Sequence, residues 1–142
     1  MNNYFIILAS GQSKRFNSKK PKQFITYKNK ALFEHSVDKA ISSKLFKKII
    51  LVVMNKKQIP KKYSKSVVII KGGKERSDSS MIALKYIKKF KPNNVLIHDA
   101  ARPDFSLKLL KKIIKNLKTN KAVIPFINPI DSIKYKLKKS IY

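Results

Sequence analysis

The chain of 142 residues contains no cysteine and no tryptophan. Without cysteine there is no disulfide framework, no thiolate metal site and no thiol nucleophile. No apolar run reaches the roughly 18 residues that a membrane-crossing helix needs. The N-terminal run Tyr4–Ala9 is short and lacks a preceding basic region, so no secretion signal is expected and a cytoplasmic location is. Acidic residues are scarce, 7 against 34 Lys and Arg, for a net charge of +27. Arginine is scarce as well: Arg15, Arg76 and Arg102 are the only three, leaving 31 of the 34 as lysine. Glycine occurs three times, at Gly11, Gly72 and Gly73.

A charge of this size raises a basic nucleic-acid-binding reading. Two features oppose a specific one. Bidentate base contacts favour arginine, and the lysine pairs are dispersed, without the interleaved aromatics that stack bases. Neither a specific nucleic-acid partner nor a membrane partner is expected.

Apolar residues make up 43% of the chain, and a domain of this size buries about 70% of its unfolded surface. Short apolar runs, 4–9, 48–54, 67–70, 95–97 and 122–124, read as strands buried on both faces. Between them lie three helical patterns. One carries Leu32, Phe33, Val37, Ala40 and Ile41 on a face. A second opens at Ser77 or Asp78 and aligns Met81, Leu84 and Ile87. A third opens at Ser106 with a stripe of Leu110, Ile113, Ile114 and Leu117. Alternating strands and helices predict an α/β domain with a mostly parallel sheet. Residues 131–137 alternate like an edge strand.

In such sheets ligands bind beyond the carboxyl ends of the strands. Three segments stand there. The first is Ala9-Ser10-Gly11 through Arg15, followed by Pro21-Lys22-Gln23. Small residues let backbone N–H groups approach an anion, and Arg15 and Lys22 supply fixed positive charge. Its spacing is not that of a P-loop. The second, Gly72-Gly73-Lys74-Glu75-Arg76 to Ser79, permits close backbone approach to a base or phosphate. The third, His98-Asp99-Ala100-Ala101-Arg102-Pro103, puts a carboxylate where it can hold Mg²⁺ or a sugar hydroxyl; His98 beside it reads as a hydrogen-bonded structural residue. All three arginines and all three glycines fall in these segments.

The ordered set resembles the 2-C-methyl-D-erythritol 4-phosphate cytidylyltransferases, whose pattern runs A-A-G-x-G-x-R, P-K-Q, G-G-x-x-R-x-x-S, H-D-A-A-R-P and D-T-x-K. Asp131-Ser132-Ile133-Lys134 stands at the last of these. The resemblance implies a Rossmann-like three-layer nucleotidyltransferase fold and Mg²⁺-dependent transfer of a cytidylyl group from CTP to a sugar-alcohol phosphate. By that resemblance Arg15 and Lys22 are catalytic. Ala9, Ser10, Gly11, Gly72, Gly73, Arg76, Ser79 and Ala100 bind the nucleotide. Asp99, Arg102 and Ser132 meet the substrate, and Asp99 the metal. Departures are Ser13 for the second glycine, Ser10 for alanine and Ser80 for an apolar residue. Family members continue further, so residues 1–142 are expected to form one domain lacking its C-terminal part. A dimer arm is expected to begin near 131–142, and the full-length family implies a homodimer. The competing readings are a ribitol 5-phosphate cytidylyltransferase, a catalytically incomplete CTP-binding fragment and the nucleic-acid binder.

Overall fold

The computed structural model describes residues 2–13, 20–128, 136–137 and 140–141. Arg15, Asp131, Ser132 and Lys134 lie outside the described residues. Among the described residues, four parallel strands form the central sheet in the order β5-β4-β1-β6, where β1 is Asn3–Ala9, β4 Lys48–Val53, β5 Val68–Lys71 and β6 Asn94–Asp99. All seven residues of β1 are buried, as a run of aromatic and branched residues at the middle of a parallel sheet requires.

Pleating sends alternate residues of β1 to opposite faces. Phe5, Ile7 and Ala9 pack with Phe33, Val37 and Ala40 of α1 (Leu32–Ser43) and Leu110 of α3 (Leu107–Asn116). Tyr4, Ile6 and Leu8 pack with Ala83 and Ile87 of α2 (Arg76–Lys88) on the other face. The result is a three-layer α/β/α arrangement. Among the described residues, no helix is long and apolar enough to cross a membrane.

Four sequence expectations need correcting. β6 is an edge strand with Ile97 40% exposed, so it is not buried on both faces. Helix α2 begins at Arg76, ahead of Ser77, because the Asp78 carboxylate reaches back to accept the Glu75 N–H at 3.0 Å. Its buried face is Ser79, Ala83 and Ile87, spaced four apart, and Met81 is exposed. Residues 122–124 form no strand; Ile124, Phe126 and Ile127 are exposed. Pro125 withholds a ladder donor there, and an open cavity of about 480 Å³ separates part of the segment from β6. Of the alternating run 131–137, Lys136–Leu137 (β7) is described, paired antiparallel with Ser140–Ile141 (β8).

A scarcity of glycine shows in the turns. Ser13, Lys28, Asn29, Lys44 and Lys91 all hold positive φ. Lys28 and Asn29 join β2 (Thr26–Tyr27) to β3 (Lys30–Ala31) as a two-residue loop with both φ positive, the arrangement that matches strand twist. Lys44 closes α1 in the left-handed conformation.

The hairpin is fastened to α1 by a polar cluster. The Tyr63 hydroxyl approaches Asp38 Oδ1 at 2.8 Å and Glu34 Oε1 at 3.2 Å. Lys62 pairs with Glu34, and Lys30 of β3 with Asp38. Burial alone would raise both carboxyls, but the lysines and the Tyr63 hydroxyl outweigh it and hold them below the usual range. Burial and the same carboxylates push the Tyr63 phenol up, so it stays a donor. Depressed carboxyl values stabilise the fold fully above the unfolded-state pKa near 4 and lose that contribution as pH falls from there through the lower folded-state values. Tyr63→Phe is therefore expected to cost about 2 kcal/mol at pH 7, with the gap from wild type closing as pH drops from about 5 to 3. Urea unfolding across that range measures it, and a gap independent of pH refutes the account.

Candidate functional site

The strand order places β4 and β5 on one side of β1, and β6 on the other. The chain therefore reverses its direction of travel across the sheet between β1 and β6, and the loops after those two strands part to leave a crevice. A cleft of about 310 Å³ lies there, walled by Ser10, Gly11, Ser13, Lys22, Lys74, Arg76, Asp99 and Arg102 among others. The three segments singled out in the sequence converge on it.

Asp99 ends β6 and organises the cations. Its Oδ1 accepts from Arg76 Nε at 2.9 Å, and its Oδ2 lies 3.5 Å from Arg102 Nε. Arg76 uses one of its five donors on this carboxylate and Arg102 makes only a longer ion pair, so most of their capacity remains for a ligand. Arg76 and Arg102 are largely exposed, so these pairs serve geometry more than stability. The third loop is anchored from below. Ala100 N–H donates to Leu8 O at 2.9 Å, and the Ser36 hydroxyl of α1 donates to Ala100 O at 3.0 Å. His98 Nε2–H donates to Arg102 O at 2.8 Å while its ring packs on Phe5 and Phe105. Burial pushes the His98 pKa down and outweighs the Arg102 carbonyl, which pulls it up. The expected structural histidine is thus a brace for Arg102.

Gly72 explains how the second loop meets the first. A Cβ there would stand 2.7 Å from both Ser10 Cβ and Ser79 Oγ, closer than real atoms pack. The Ser10 and Ser79 hydroxyls bond at 2.7 Å, and Gly73 N–H donates to Ser79 Oγ at 3.1 Å. Loop-to-loop contact therefore demands Gly72, with no positive φ among the glycines. A Cβ on Gly11 would meet nothing within 4 Å; this glycine faces open space.

The first loop keeps the conformation expected of a glycine where the sequence has Ser13, at φ 52°. Ser13 Oγ accepts the Lys22 N–H at 3.0 Å and lies 3.4 Å from Gln23 Oε1. Of the residues predicted for the site, Ser10, Gly11, Lys22, Arg76, Asp99 and Arg102 line the cleft. Ala9, Ser79 and Ala100 are buried behind it and support its wall. Lys74, Glu75, Ala101 and Gln23 also line it and were not singled out. The signal for Gln23 was present in the sequence: an uncharged amide directly after Lys22, where a lysine-rich chain would tolerate another cation.

The profile of the 2-C-methyl-D-erythritol 4-phosphate cytidylyltransferase family (IspD) matches residues 4–141. The chain is 51% identical to the bifunctional enzyme IspD/IspF of Pelagibacter ubique, over 99% of its own length and 38% of that protein's. It is 36% identical to the 2-C-methyl-D-erythritol 4-phosphate cytidylyltransferase of Thermosipho melanesiensis, over 98% of its own length and 66% of that enzyme's. The crystal structure of 4-diphosphocytidyl-2C-methyl-D-erythritol synthase from Anaerococcus prevotii superposes with a TM-score of 0.79 at 28% identity, covering 96% of this chain and 60% of that one. The chain thus spans between 38% and 66% of the length of these two curated relatives. With three post-strand loops gathered on one cationic crevice and a family match over nearly its whole length, the chain belongs to the 2-C-methyl-D-erythritol 4-phosphate cytidylyltransferase family.

Proposed function

We propose that this chain performs cytidylyl transfer from CTP to 2-C-methyl-D-erythritol 4-phosphate, with release of pyrophosphate, in isoprenoid precursor synthesis. The observation that carries the reading is the gathering of Lys22, Lys74, Arg76 and Arg102 around one crevice at the switch between β1 and β6. In the reaction a phosphate oxygen of the acceptor attacks the α-phosphorus of CTP, and the bond from that phosphorus to the bridging oxygen of pyrophosphate breaks. The attacking phosphate is already ionised at neutral pH, so no activated serine or cysteine is required. What the protein must supply is alignment and positive charge.

Lys22 and Arg15 are assigned to the charge that builds on the α-phosphoryl oxygens. Arg76 and Lys74, beside the second loop, suit the phosphates of the nucleotide, with Gly72 and Gly73 admitting the cytidine. Arg102 and Ser132 are assigned to the acceptor's phosphate, and the full-length protein to a homodimer. Among the described residues no group of three acidic or histidine side chains could hold a metal by itself. Asp99, a cleft carboxylate at a strand end, would be the group to hold Mg²⁺, in exchange for one of its guanidinium contacts. When bound there, such an ion neutralises phosphate charge.

Pyrophosphate release from CTP, with methylerythritol phosphate and ribitol 5-phosphate as alternative acceptors, tests the reading; turnover with neither, or with ribitol phosphate only, overturns it. Lys22→Ala is expected to lower kcat by about 10²–10³-fold, with CTP affinity changed far less, and steady-state kinetics beside CTP titration separate the two. A normal kcat removes Lys22 from the mechanism. Gly72→Ala is expected to cost about 1–3 kcal/mol of stability and to weaken CTP binding, because Ser10 and Ser79 must part. Thermal unfolding with and without CTP reads both effects, and an unchanged midpoint and CTP shift would contradict the packing argument.

A further inference from the structure

Gln23 has no place among the groups assigned to substrate, yet its side chain is the hub of the first loop. It follows Lys22 in the 3-10 turn Lys22–Phe24 and is 5% exposed. Its Nε2 donates to Ala9 O at 2.9 Å and to Gly11 O at 2.7 Å, while its Oε1 is the partner of the Ser13 hydroxyl at 3.4 Å. Ser13 in turn accepts the N–H of Lys22. A primary amide is the one uncharged side-chain group that donates twice and accepts as well. A carboxylate of the same shape would face two carbonyl oxygens with lone pairs.

These bonds have a direction. In a trans peptide the C=O and N–H point opposite ways. By drawing in the carbonyls of Ala9 and Gly11, Gln23 turns the N–H groups of Ser10 and Gln12, which share those peptide planes, away from itself. Along β1 the Leu8 carbonyl points toward β6, where it accepts Ala100 N–H. The next carbonyl, that of Ala9, points to the other side, which leaves the Ser10 N–H on the β6 side, where the cleft lies. Backbone N–H groups turned outward from a loop in this way offer donors to an anion.

We propose that Gln23 is a positioning residue for phosphoryl transfer: its buried amide sets the peptide planes of the first loop toward the triphosphate and holds that loop at a fixed distance from Lys22. The inference rests on the reading that the first loop and Lys22 handle phosphates. It assigns Gln23 no contact with substrate.

The test uses Gln23→Glu and Gln23→Met in the full chain, with affinities for CTP and cytidine, thermal midpoint and kcat for pyrophosphate release. Cytidine affinity reports the base pocket, and the ratio of CTP to cytidine affinity reports the phosphate cradle. The expected result is cytidine affinity within twofold of wild type, a ratio reduced about tenfold, and kcat reduced about 10–100-fold. The Gln23→Glu deficit relative to wild type is expected to shrink at lower pH, as the introduced carboxyl regains a proton to donate; Gln23→Met shows no such recovery. Should a buried charge keep Gln23→Glu from folding, Gln23→Met carries the same prediction without one. A wild-type ratio and kcat in the variants overturn the proposal whatever the midpoint does. So does an equal loss of CTP and cytidine affinity, which marks Gln23 as packing only. A wild-type protein that gains nothing from the triphosphate over cytidine overturns the underlying phosphate reading before any variant is made.

Discussion

A strand paired along both edges and buried on both faces, β1, is the constraint from which the rest follows. Such a strand needs a helix layer above and below, which α1 and α3 provide on one face and α2 on the other. It also needs neighbours on both sides, so the chain must leave β5 and cross to the far edge to lay down β6. That crossing opens the crevice. The cleft is thus a by-product of how β1 is buried, and its position is set before any functional residue is chosen.

The few acidic residues are placed where a basic chain most needs them. Glu34 and Asp38 fasten the β2–β3 hairpin and the Tyr63 turn to α1, with the Glu34 carboxylate also accepting the Ala31 N–H. Asp78 caps the start of α2, just beyond the second loop. Asp99 separates two guanidiniums that would otherwise repel each other across the cleft. Lysine on solvent faces accounts for most of the net charge. The charge that faces a ligand is arranged by Asp99.

Much of this was legible in the sequence where one force dominated. Runs 4–9 and 48–54 declared themselves because every residue is apolar, and Ser106 announced α3 because its hydroxyl accepts the Leu109 N–H. Legibility failed where forces compete. Residues 122–124 are as apolar as a strand, but Pro125 and the lack of pairing keep them out of the sheet. Met81 fits the helical period, yet the buried face is drawn toward Ser79, whose place is fixed by Ser10 and Gly73. The convergence of the three loops was readable from their post-strand positions. Which of their residues face the cleft and which stand behind it was not, because that depends on peptide-plane orientation. Gln23 is the clearest case: in sequence it is the tail of a motif, and in space it is the motif's anchor.

The left-handed turns have a further consequence, for stability. Ser13, Lys28, Asn29, Lys44 and Lys91 each hold a backbone shape in which a side chain is crowded by its own carbonyl. Such crowding costs about 1 kcal/mol or more per residue for most side chains. Ser13 offsets part of that through its hydroxyl bonds, whereas Lys44 and Lys91 are exposed residues just past the ends of α1 and α2. Each such turn carries local strain that a glycine would relieve, at the cost of a freer unfolded chain. Apart from Ser13 at the cleft, that strain lies in turns away from the core and from the chemistry.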